Sequence, residues 1–240
     1  MNSVPATNTE SASAAWICGL LQAGDSYYPT GSYAHSYGLE GLVQEGVVRD
    51  RDTLREFVFV SVIPGLVHGD LALAAHGWRA LGISDWAQIA ELARLSSAIK
   101  APRELRTASE NIGRQRAELL ANLRSAPLAI EYVRRAAEEG WPHSSALSAA
   151  LEGRVFGAPL AGVLSGVFYA NLASIVAAAM KILRVGQNAA QALLVEALAT
   201  APEHLAVAET IAIEDIGWFN PWLDIAASRH ESADARLFIS

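Results

Sequence analysis

The run from Ala158 to Met180 holds 23 residues without a charge. As a helix it is long enough to cross a bilayer, so the fold must either insert it in lipid or surround it with protein. Asn171 and Ser174 share one stripe of that helix, and Lys181 continues the stripe seven residues further on. Gly162 and Gly166 form a small-xxx-small pair, which suits close helix packing in water or lipid. No other part of the chain is expected to match this length of apolar sequence. A helix buried on nearly all sides, central to a core or a dimer, is favoured over a membrane span.

The rest of the chain shows helical periodicity and no alternating strand pattern, so the fold class is all-α: a single-domain helical bundle with a long buried central helix. Ala14 to Ala23 reads as a short apolar helix. Asp50 or Asp52 caps a helix beginning TLREFVFVSVI, which Pro64 and Gly65 kink or break before a second segment continues to about Leu81. Ser84 caps the next helix, with Trp86, Ile89, Leu92, Ala93 and Ser96 at core spacing. Pro102 opens another, in which Leu105, Ala108, Ile112, Leu119 and Leu123 form an apolar stripe. Pro127 and Gly140 bracket a third. A smaller helix spans His143 to about Glu152, and helical segments at 187–200, 203–215 and 222–228 follow the long run.

With 240 residues the chain can bury a sizeable core, and 52% hydrophobic residues against 18% charged point to a large core, an oligomer interface, or both. A net charge of −7 argues against nucleic acid as a partner. The single cysteine, Cys18, permits no intrachain disulfide and reads as a small buried hydrophobe. Residues 1–13 are small and polar, lack a basic n-region, and read as a disordered tail instead of a signal peptide. Residues 14–228 form the helical domain and 229–240 a docking tail. An intracellular, cytoplasmic setting is the default.

Motifs for catalysis are absent. There is no GxxxxGK[ST], no GxGxxG after a strand, no GxSxG and no HExxH. His68, Asp70 and His76 come nearest to a metal cluster, but the two histidines stand about two helical turns apart. No catalytic, cofactor-binding or metal-binding residue is assigned.

Two stretches have no evident core duty. Gly24 to Gly41 packs Tyr27, Tyr28, Tyr33 and Tyr37 around a Pro29-Thr30-Gly31 turn. A helix capped by Thr30 or Ser32 and stopped by Gly46 would place Leu39, Leu42 and Val43 on one face, with Tyr33, Tyr37, Glu40 and Gln44 on the other. Partner surface and ordinary tyrosine packing both fit that second face. The other stretch is the chain end, where Leu237, Phe238 and Ile239 follow Arg236. Such a segment docks, on its own core or on another protein. A small-molecule enzyme with a pocket near Tyr33, His35 and Glu40 is the alternative reading.

Four stretches carry a resemblance to the urease accessory protein F (UreF) family: PTGSYAHSYGLE at 29–40, ELR at 104–106 with Gly113, KILRVGQNAAQALL at 181–194, and LDIAASRHESADARLFIS at the end. Four in the right order are specific where one would be weak. Ala190 departs from the glycine usual before the second glutamine, the segment from His143 matches loosely, and the N-terminal tail lies outside the match. The resemblance implies an all-helical homodimer without enzymatic activity, a chaperone in nickel insertion. It implies binding to UreD (UreH in some bacteria), recruitment of the GTPase UreG, and delivery of nickel to the urease apoprotein. The family's partner-engaging aromatic and arginine fall on Tyr33 and Arg236. Tyr37, Glu40, Leu237 and Phe238 are their expected neighbours on a partner-binding surface.

Overall fold

Helices account for most of the computed structural model, which describes residues 9–25, 27–30, 36–230 and Phe238, with the backbone alone for 9–14 and 230. In chain order they are α1 (Thr9–Ala23), α2 (Leu39–Gln44), α3 (Arg51–Gly82), α4 (Trp86–Ala98), α5 (Arg103–Arg124) and α6 (Pro127–Glu139). After these come α7 (Ser145–Phe156), α8 (Leu160–Ile182), α9 (Gln187–Ala199), α10 (Ala201–Thr210) and α11 (Pro221–His230). Among the described residues there is no strand, and the fold is all-α.

Local chemistry sets most boundaries. Asp50 caps α3 by accepting from the Thr53 amide at 2.9 Å, and the Thr53 hydroxyl oxygen accepts in turn from the Asp50 amide. Asp85, not Ser84, caps α4, accepting from the Gln88 amide at 3.0 Å. Ser84 instead holds the left-handed conformation of the preceding turn. Pro127 opens α6, and Gly140 closes it with φ 63°.

Pro64 does not break α3. Its ring removes one donor and crowds the carbonyl of Val60, and the helix widens there into a π-helical turn at Val58–Val62, with a second such turn following at Val67–Leu71. The helix therefore runs unbroken for 32 residues and contains a second apolar window beside that of α8. The expectation that α8 would be unmatched in apolar length fails here. Both windows belong mostly to the core, with 61% buried in α3 and 56% in α8.

The layers assemble around α7, whose residues 146–153 are all buried. It packs against α1, α3, α5, α6 and α8. α8 lies beside it and also touches α2, α3, α9 and α10, burying Leu164, Phe168, Leu172 and Ile175 while Ala161, Ser165 and Tyr169 stay exposed. The centre is thus shared between a short helix enclosed all round and a long one open along one stripe. In α5 the expected apolar stripe is buried at Ala108 and Ile112, with Leu105 and Leu119 only partly covered. It then passes to Ala117 and Leu120, leaving Leu123 exposed.

The crossing of α5 over the start of α7 explains one of the four signature stretches. A Cβ at Gly113 would sit 2.4 Å from the Ser144 carbonyl carbon, so only glycine fits. Hydroxyls then join the two backbones. Ser148 donates to the Gly113 carbonyl at 2.7 Å, Ser109 and Ser145 pair at 3.0 Å, and Ser144 pairs with Ser96 of α4 at 2.8 Å. Arg106 donates to the Lys100 carbonyl at 2.9 Å, tying down the α4–α5 link. These two members of the mid-chain signature hold the scaffold.

Candidate functional site

The tyrosine-rich stretch enters α2 through Ser36, whose carbonyl accepts from the Leu39 amide at 3.1 Å and whose hydroxyl accepts from the Glu40 amide at 3.4 Å. Tyr37 and Gly38 both have left-handed backbone, with φ 53° and 83°. A helix cannot continue through these two residues, so the part of the expected helix that the described residues show is the six-residue α2. A single wheel running from Tyr33 to Gln44 does not apply.

The correction reaches the partner-binding residues. Glu40, expected on an outward face, is only 4% exposed. Tyr37 is partly buried; burial, aided by the Asp70 charge, pushes its hydroxyl well above the ordinary tyrosine range. Leu39 and Leu42 are buried as expected, and Gly46 (φ 72°) follows the helix as its stop. Tyr33, His35, Arg236 and Leu237 lie outside the described residues.

Glu40 is buried where α11 and Phe238 close over α2. Gly41 meets α11 so closely that a Cβ there would lie 2.6 Å from the Ala226 carbonyl oxygen. Arg229 bonds Glu45 at 3.0 Å along the same seam. From 198 positions away in sequence, the Phe238 amide donates to the Glu40 carboxylate at 3.1 Å. The Phe238 ring is buried, with the Lys181 ammonium 5.3 Å from its centroid. Three signature stretches therefore meet at one point, through Glu40, Lys181 and Phe238.

Ahead of α2, Tyr28 reaches an interior ion pair. Arg116 donates through Nε to Glu152 at 3.1 Å, and through a second nitrogen to the other carboxylate oxygen. Burial pushes the Glu152 carboxyl up, while Arg116 and a hydrogen bond from Tyr28 pull it back. Burial and the Glu152 charge raise the Tyr28 hydroxyl to about 12.

A cavity of about 330 Å³ opens between α1, α7 and α8, with Asp70, Arg116, Glu152 and Asn171 among its polar lining. A second, of about 160 Å³, lies toward α11, and both are lined by Tyr37, Asp70, Ile112, Ser145 and Asn171. Glu40 lines neither of them. Among the described residues, no three His, Cys, Asp or Glu side chains group so as to hold a metal ion. His76 bonds the Ile211 carbonyl at 2.8 Å, Asp70 pairs with Lys100 at 2.7 Å, and His68 stacks on Trp218.

Cys18 is exposed on α1, contrary to the buried role expected of it, because α1 presents one side to solvent along with Ile17 and Leu21. Sequence reasoning also missed an aromatic surface. Phe219 and Trp222 are 81% and 78% exposed, and Trp218 and Ile225 are partly so. Asn220 ties this segment to Ser61 of α3 at 3.0 Å. The available signal was three aromatics within five residues, Trp218 and Phe219 between Gly217 and Pro221 and Trp222 directly after the proline.

A family model described as UreF matches residues 48–198. A urease accessory protein UreF of Bacillus sp. (strain TB-90) is 27% identical over 224 residues, covering 93% of this chain and 99% of the relative. One from Arthrobacter sp. (strain FB24) is 31% identical over 224 residues, covering 92% of this chain and 96% of the relative. A third, from Xanthobacter autotrophicus, is 31% identical over 215 residues, covering 89% and 86%. With matches of this identity over nearly its whole length, on an all-helical fold, the chain belongs to the UreF family of urease accessory proteins.

Proposed function

We propose that this protein is a non-catalytic, cytoplasmic, homodimeric scaffold for assembly of the nickel centre of urease. It binds UreD (UreH) and recruits the GTPase UreG to the urease apoprotein. Nickel is cargo in this reading, handed on by the assembled complex. The observation that carries it is the meeting of Glu40, Lys181 and Phe238, which gathers three signature stretches that are far apart in sequence. Tyr33 and Arg236 act as partner contacts, seven residues before Glu40 and two before Phe238 in the chain. The exposed aromatic surface around Phe219 and Trp222 supports a protein that works in a complex, since large apolar patches mark interaction sites.

The pocket reading draws no support from Glu40, which is engaged by the Phe238 backbone and lines neither cavity described above. The deciding experiment co-expresses urease and its other accessory proteins with and without this chain, measuring nickel content and activity. Loss of both without the chain is expected. Full nickel loading in its absence would reject the scaffold role. Tyr33→Ala and Arg236→Ala are expected to leave helicity and dimer intact and to abolish co-purification of UreG; normal co-purification with both variants would reject those contacts.

A further inference from the structure

We propose that Glu40 and Phe238 are positioning residues for recruitment, forming an internal latch that holds the chain end against α2 instead of contacting the partner. The inference rests on the docking role proposed above for Arg236.

Neither side chain is free to meet another protein while the latch is closed, since Glu40 is 4% and Phe238 6% exposed. The two halves of the contact recognise different things. The Glu40 carboxylate accepts from the backbone amide of Phe238, which any residue except proline provides, so it fixes where the chain lies. The buried site beside Lys181 takes the ring, which fixes the register. A chain end left loose must give up its conformational freedom when it binds, whereas one already pinned gives up less. Pinning at Phe238 acts on Arg236 because only two peptide steps separate them, each spanning about 3.8 Å between Cα atoms.

The contact also gives α2 a reason to be so short and so firmly held. Left-handed Tyr37 and Gly38 start it late, and Gly41 presses it onto Ala226 of α11. That docking points the first turn of α2, which carries Glu40, at the place where the chain end returns. Lys181, at the last turn of α8, closes the other side of the ring.

The test uses the full chain, co-purified with UreD, and reads two quantities: amide hydrogen exchange over 231–240 and capture of UreG. Phe238→Ala is expected to accelerate exchange at the chain end and to lower capture about tenfold, the scale on which an interface anchor acts. It should leave helicity unchanged. Phe238→Leu, which still fills the apolar site, restores most of the capture. Glu40→Gln, which keeps an acceptor for the Phe238 amide, retains more capture than Glu40→Ala. In an Arg236→Ala background, Phe238→Ala produces no further loss.

Unchanged exchange in Phe238→Ala overturns the latch. Accelerated exchange with wild-type capture also overturns it, and if Arg236→Ala still abolishes capture the docking role of Arg236 survives alone. Capture that is lost in Phe238→Ala but normal in Arg236→Ala makes Phe238 the contact itself. That result overturns both the latch and the assignment of Arg236.

Discussion

Arg116 and Glu152 meet inside the protein as a two-pronged ion pair joining α5 to α7, with Nε 3.1 Å from one carboxylate oxygen. Their side chains are 15% and 1% exposed. Removing one partner takes the counter-ion from the other. Arg116→Met therefore leaves a buried carboxylate unpaired and is expected to cost about 3–5 kcal/mol, whereas Arg116→Met with Glu152→Leu recovers much of the loss. Denaturant unfolding of both variants measures the difference.

Tyr28 closes this pair from the loop side, so its ionisation reports on the loop. With its pKa raised to about 12, the neutral hydroxyl is favoured in the folded state. The stabilisation it contributes is fully present below the ordinary tyrosine value near 10 and is lost as pH rises through about 12. Tyr28→Phe is expected to cost about 1.5–3 kcal/mol, because it removes a hydrogen bond to a charged group. Tyr37 and Tyr132 are also held above the ordinary tyrosine range by burial, so ultraviolet titration should show three late-ionising tyrosines in the wild type and two in this variant.

His143 gives the opposite dependence, at acid pH. Burial holds its imidazole below the ordinary histidine value near 6.5, and among the described residues no group pairs with its Nδ1. A base kept neutral in the fold contributes stability that is present above its unfolded value and lost as pH falls. Thermal unfolding followed downward from pH 7 should show Tm declining below about 6.5, with a shallower decline in His143→Phe.

Two glycines within helices should respond in opposite directions. Gly113→Ala drives a methyl into the Ser144 backbone and is expected to destabilise by at least about 1–3 kcal/mol, the usual cost of overpacking. Gly166→Ala meets nothing within 4 Å and should stabilise α8 by about 0.5–1 kcal/mol. Tm measurements on the pair would separate a glycine required by close approach from one that is merely tolerated.

These contrasts mark what the chain discloses locally. The limits of α6 were legible because Pro127 and Gly140 act through their own backbone preferences. Ile89, Leu92 and Ala93 were legible because helical periodicity reports one buried face. The start of α2 was not, since nothing local announces that Tyr37, a bulky aromatic, takes a left-handed conformation. Pro64 misled because widened turns absorb a ring that a regular α-helix would reject. The environment of Glu40 depends on a backbone amide at the far end of the chain, beyond the reach of any periodicity. For Glu40 and Phe238 the sequence therefore singled out the residue and not its burial.

The widened turns of α3 also govern how the chain tolerates change. Each places one extra residue in a helical turn, so every side chain beyond it is stepped around the axis by about 100°. The two turns act as phase correctors, letting Leu54 and Phe57 at one end and Leu73 and Leu81 at the other all face the interior. A one-residue deletion at 58–62 would do less harm by shortening α3 than by rephasing it. The segment would relax to ordinary α-helix and turn the buried side chains of its second half away from α7.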